Sequence, residues 1–158
     1  MKRNHNREKK GQRVIQVWNY SQATAALPYL ASVMGSVREC RLESVRLKLE
    51  ARKLASAPGR PDRSRIIAQE EAAHEGQRAE QRYHEALQEL HALDVYCLHP
   101  IGGQALIPFV HDERLAWFVF DLFDPGRLRS WRYHTDPLDR RRPIAEALDD
   151  AGPDKLVV

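Results

Sequence analysis

Between residues 30 and 54 an apolar or small side chain recurs at alternating steps of three and four: Leu30, Val33, Val37, Cys40, Ser44, Leu47, Ala51, Leu54. That step predicts a long helix with one seam to bury. Pro58-Gly59-Arg60-Pro61 breaks it, and Asp62 can cap a second helix running to about Leu93. The second seam is weaker and smaller, through Ile66, Ala73, Gly76, Tyr83, Leu87 and Leu90. Alanines at 68, 72, 73, 79 and 86 allow close approach near the tip. The centre of the chain therefore reads as an antiparallel helical hairpin with arms of roughly 45 Å.

Upstream, Val14-Ile15-Gln16-Val17-Trp18 reads as a short edge strand. Asn19 with Gln22 three residues later has the capping-box spacing, so a short helix should follow. Pro28 suits the first turn of a new helix better than the middle of an old one. From Asp94 the period changes to two. Residues 95–98, 105–110 and 115–123 read as three strands, separated by the turns His99-Pro100-Ile101-Gly102-Gly103 and His111-Asp112-Glu113-Arg114. The last run is apolar on both faces, as in a strand covered on two sides. Beyond Asp124-Pro125-Gly126, Trp131, Tyr133 and Ile144 are apolar anchors in polar chain. The expected fold is α+β: a long antiparallel hairpin with a three-stranded antiparallel meander packed at its open end. Trp117, Phe118, Phe120, Phe123 and Trp131 would form the core between sheet and helices.

With 158 residues the chain suits one domain. Residues 1–13 are expected to be a disordered basic arm, 14–150 the folded unit and 151–158 a flexible tail. No stretch approaches the roughly 18 apolar residues of a membrane helix. The polar run after Met1-Lys2-Arg3 does not fit a signal peptide. A cytoplasmic protein with reduced Cys40 and Cys97 is the expectation.

The order of several motifs resembles a bacterial family, the domain-of-unknown-function family numbered 2203. The opening Trp18-Asn19-Tyr20-Ser21-Gln22-Ala23-Thr24-Ala25-Ala26-Leu27-Pro28 is similar to that family's aromatic-Thr-x-x-x-Ala-x-x-Leu-Leu-Pro. His99-Pro100-Ile101-Gly102-Gly103 resembles its Asp-Pro-x-x-Gly turn, and Pro108, Trp131 and Arg142-Pro143-Ile144 follow in order. The chain departs from the pattern at Trp131-Arg132, where the family has Trp-His. It departs again at Asp121-Leu122-Phe123-Asp124, where the family reads like Arg-x-Gly-Glu, and at Leu106, which replaces an Asp. The resemblance implies the fold and carries no activity with it.

Charge adds a second theme. The net charge of +3 is unevenly spread, because residues 1–13 set six Lys/Arg against Glu8. Residues 29–57 carry six basic and three acidic side chains, residues 62–93 four basic and seven acidic, which favours pairing of the two arms. Lys2, Arg3, Arg7, Lys9, Lys10 and Arg13, with Arg140, Arg141 and Arg142, are the candidate phosphate-binding residues for nucleic acid. Trp117, Trp131, Arg132 and His134 are the candidate lining of a pocket by the sheet. Glu71 and His74 have the Glu-x-x-His spacing of di-iron bundles, yet a solvated helix face accounts for them. His84 and His91 share a helix face near Cys97 and His99 without any close ligand pair, so no metal or other cofactor is expected. No nucleophile elbow or phosphate loop is present, and Gly102-Gly103 is a hairpin turn. These readings converge on a non-enzymatic interaction or assembly protein, homodimeric through its hairpin, with a nucleic-acid- or ribosome-associated role for the basic arm as the alternative and a metal-binding helical bundle as a lesser one.

Overall fold

A computed structural model describes residues 14–148 and 155–157. The chain opens with strand β1 (Val14–Gln16) and a short helix α1 (Tyr20–Ala25). Asn19 and Gln22 form the expected capping box, each side chain accepting from the other's backbone N–H. Helix α2 (Leu27–Ser56) begins with Pro28 in its first turn, where the missing N–H costs nothing. Helix α3 (Arg63–Ala92) is capped by Asp62, which accepts from the Arg65 backbone N–H at 2.8 Å. The Arg65 side chain turns back across the hairpin tip. It donates to the carbonyls of Leu54 (2.8 Å) and Ala57 (2.7 Å), satisfying C-terminal acceptors of α2.

The α2 seam matches its sequence pattern, with Leu30, Val33, Val37, Ser44 and Leu47 buried. The α3 seam matches only in part. Its buried positions are Ala72, Gly76, Ala79, Ala86 and Leu90, whereas Ile66 is exposed and so is Ala73. Small side chains also recur at steps of three and four, and a seam of alanine and glycine lets the helices approach closely. Of the predicted seam, Gly76 and Leu90 are buried and Tyr83 and Leu87 half-buried, whereas Ile66 and Ala73 lie off the contact line.

The meander has five strands where three were expected: β2 (Tyr96–His99), β3 (Gln104–His111), β4 (Arg114–Asp121), β5 (Leu128–Tyr133) and β6 (Arg142–Pro143), all antiparallel in sequence order. β5 was hidden because its register shifts by one residue opposite Val119 and Phe120. That bulge brings Leu128 onto the face of Trp131 and Tyr133 and interrupts the two-residue period by which a strand is recognised. Asp112 and Glu113, both at positive φ, close the β3–β4 hairpin as a tight two-residue turn. Lys155–Val157, within the expected flexible tail, forms β7 and pairs antiparallel with β1. The apolar run Leu156-Val157 suits a strand, and β1 supplies an edge for it.

One face of the sheet packs on α1, the first turns of α2 and the last turns of α3, at the open end of the hairpin. Phe109 stacks on Phe118 with ring centroids 3.9 Å apart, and Trp131 meets Phe109 edge-on. The Trp131 indole N–H is satisfied by the Pro143 carbonyl at 3.0 Å. Phe123, expected in this core, is 62% exposed beneath the Arg38 guanidinium. It lies past the end of β4, after the strand has turned away. The core reaches along the hairpin only to Val37 on α2 and the half-buried Tyr83 on α3. The distal part, residues 41–80, projects beyond the sheet.

Candidate functional site

The sheet's other face bears the site. Along β4 and β5 the alternation that sends Phe118 and Trp131 inward sends Trp117 and Arg132 outward, and the register pairs these two directly. β3 adds Leu106, and β2 adds Tyr96 opposite it. After Tyr133 the chain turns through His134, Asp136, Pro137 and Leu138 and folds back over this face. Together these residues line an open cavity of about 470 Å³. A neighbouring cavity of about 440 Å³, bordered by Ile15, His91 and Val95, shares Tyr96 and Trp117 with it.

The returning turn is held by Asp136. Its carboxylate accepts from Arg142 Nε at 2.9 Å and Nη2 at 3.0 Å, and from the Tyr133 backbone N–H at 2.9 Å. The Arg142 hydrogen bonds, aided by the Tyr133 N–H, hold the Asp136 carboxyl well below the usual carboxylate range. Arg142 in turn lies over the rings of Trp131 and Tyr133. Within the cavity wall the Trp117 indole N–H donates to His134 Nδ1 at 3.1 Å. The neutral His134 ring therefore carries its proton on Nε2. Arg132 is 4% exposed, and its Nη2 donates to the Asp136 carbonyl.

Of the four residues nominated for a pocket, Trp117, Arg132 and His134 line this cavity. Trp131 is a correction: it is 1% exposed and belongs to the core on the opposite face, as its odd place in the strand requires. Tyr96, Leu106, Asp136 and Leu138 were not foreseen, since strand register and a turn bring them there. The nominated cations separate as well. Lys2, Arg3, Arg7, Lys9, Lys10 and Arg13 lie outside the described residues. Arg140 is exposed, and Arg141 donates to the carbonyls of Leu138 and Arg140. Arg142 is no free phosphate-binding cation, because Asp136 occupies its fork.

Glu71 and His74 are exposed on α3, and His84 and His91 are exposed on the same helix. Among the described residues no group of three or more His, Cys, Asp or Glu side chains could hold a metal ion. Burial pushes the Cys97 thiol up to about 11, so it is protonated at neutral pH. No helix among the described residues is long and apolar enough to cross a membrane.

The distal hairpin is the second surface of note. Its seam fully buries one large apolar side chain, Leu47, worth about 2 kcal/mol. Leu42 and Leu49, seven residues apart on α2, are 37% and 51% exposed, and Ile66 and Ile67 on α3 are both 44% exposed. No family model, no curated protein and no solved structure matches the chain.

Proposed function

We propose that the protein is a non-enzymatic assembly protein of the cytoplasm, acting as a homodimer joined through the distal halves of two helical hairpins. The observation that carries this reading is the bare hairpin, which buries little between its own arms and exposes Leu42, Leu49, Ile66 and Ile67. A second copy is the occupant that fits. Helix α2 leans basic and α3 acidic, so a two-fold arrangement can set α2 of one copy against α3 of the other. Among the described residues one ion pair joins the arms, Lys48 to Glu80 at 3.4 Å, and both of its side chains are exposed, which leaves most of the arms' charges available to a partner. Four helices around a shared seam would cover what two cannot.

Light scattering across a range of dilute concentrations tests the reading. The expected species has about twice the 18.2 kDa mass of one chain. The double substitution Leu42→Glu, Leu49→Glu should convert it to the single-chain mass while far-ultraviolet dichroism keeps its helical signal. A wild-type protein of 18.2 kDa throughout would overturn the proposal.

A further inference from the structure

The outer face of the sheet carries a charge that its protein surroundings do not answer. Arg132 is 4% exposed, and among the described residues only its Nη2 has an acceptor, a backbone carbonyl. Its Nε is buried without a partner. Asp136, four residues away, has its carboxylate committed to Arg142 and to the Tyr133 N–H. Buried guanidinium groups are ordinarily matched by a carboxylate or phosphate, since desolvating the cation costs more than one carbonyl returns.

We propose that Arg132 anchors a binding site for a small organic carboxylate with a flat apolar body. The cavity beside it measures about 470 Å³, within the range of small-molecule sites, and Tyr96, Leu106, Trp117 and Leu138 give it apolar walls. A guanidinium is a charge-assisted donor suited to a carboxylate, and an indole ring suits a flat apolar group laid against it. The Trp117 indole N–H is already used on His134 Nδ1, so the ring offers its face and not its donor. The same bond leaves His134 Nε2–H as a second donor at the cavity. Arg142 is neutralised by Asp136, which makes Arg132 the unanswered charge of this wall.

Calorimetric titration of the full chain with 2-naphthoate and with 2-naphthamide tests the proposal. The two probes share a ring system and differ in charge. Saturable one-to-one binding of the carboxylate is expected, tighter than the amide by about 10- to 100-fold. Arg132→Met should abolish that preference and leave the melting temperature unchanged or higher, because it removes a buried charge without breaking an ion pair. Arg132→Lys, which keeps the charge and loses the guanidinium, should weaken the carboxylate while leaving the amide unaffected. Equal affinity for the two probes, or no saturation by the carboxylate at millimolar concentration, overturns the proposal. So does Arg132→Met that keeps the preference, or that melts lower while still binding.

Discussion

Two glycines should respond in opposite directions to the same added methyl group. Gly76 is buried in the interior of α3 against α2, where a helical glycine costs about 0.8–1.0 kcal/mol relative to alanine. A Cβ built there would stand 3.8 Å from the Leu47 Cβ, with nothing else within 4 Å, an ordinary contact. Gly76→Ala should therefore stabilise the protein by about 1 kcal/mol, or roughly 2–4 °C in melting temperature. Gly103 lies in the turn before β3 at φ +71°, and its Leu122 neighbour donates its backbone N–H to the Gly103 carbonyl at 2.9 Å. A Cβ there would meet the Leu122 Cβ at 2.8 Å, closer than side chains approach. The left-handed backbone adds about 1–2 kcal/mol, so Gly103→Ala should cost about 2 kcal/mol or more. Urea unfolding followed by circular dichroism, at one fixed protein concentration, measures both. A Gly76→Ala protein less stable than wild type would mean that the arms need closer approach than the seam geometry gives. A neutral Gly103→Ala would refute the turn's strain.

Asp136→Asn removes the clasp on the turn over the cavity. The folded protein holds this carboxyl below its unfolded value, chiefly through the Arg142 hydrogen bonds. Its stabilisation is complete above the unfolded value near 4 and is lost as pH falls below it, so wild type and variant should differ most at pH 7 and draw together progressively below about pH 4. Denaturant midpoints across that range decide the matter, and a gap independent of pH would refute the clasp. Deleting residues 1–13 removes six cations set against Glu8, so retention on heparin should fall and become less dependent on salt. Equal elution of both proteins would end the phosphate-binding reading of the arm.

The large outlines of the fold were legible because they are written in long periods. The Leu30-to-Leu47 step gave α2, Asn19 with Gln22 gave a capping box, and Pro28 and Asp62 marked two helix starts. What the sequence leaves open depends on non-local or one-residue events. On α3 the alanines and Gly76 are legible as a line of close approach, but which of them are buried is decided by the partner helix and not by their own hydrophobicity. β6 is two residues long and β7 pairs with residues at the far end of the chain, so neither has a pattern of its own to read. In β5 a single bulged residue inverted the alternation.

The site shows why a residue type alone points poorly to a pocket. Trp131 and Arg132 were nominated together as neighbours in sequence, yet a strand sends neighbours to opposite faces, and only Arg132 reaches the cavity. An outward position on a sheet face suits a solvated charge, so nothing in β5 itself requires Arg132 to be buried. The burial comes from the turn after it. Asp136, locked between Arg142 on β6 and the Tyr133 N–H on β5, pulls residues 134–138 back across the sheet. The same Asp136 that closes the turn offers Arg132 its carbonyl and withholds its carboxylate. One acidic side chain thus encloses a cation and leaves it without a counter-charge, which is the arrangement expected where an anion arrives from outside.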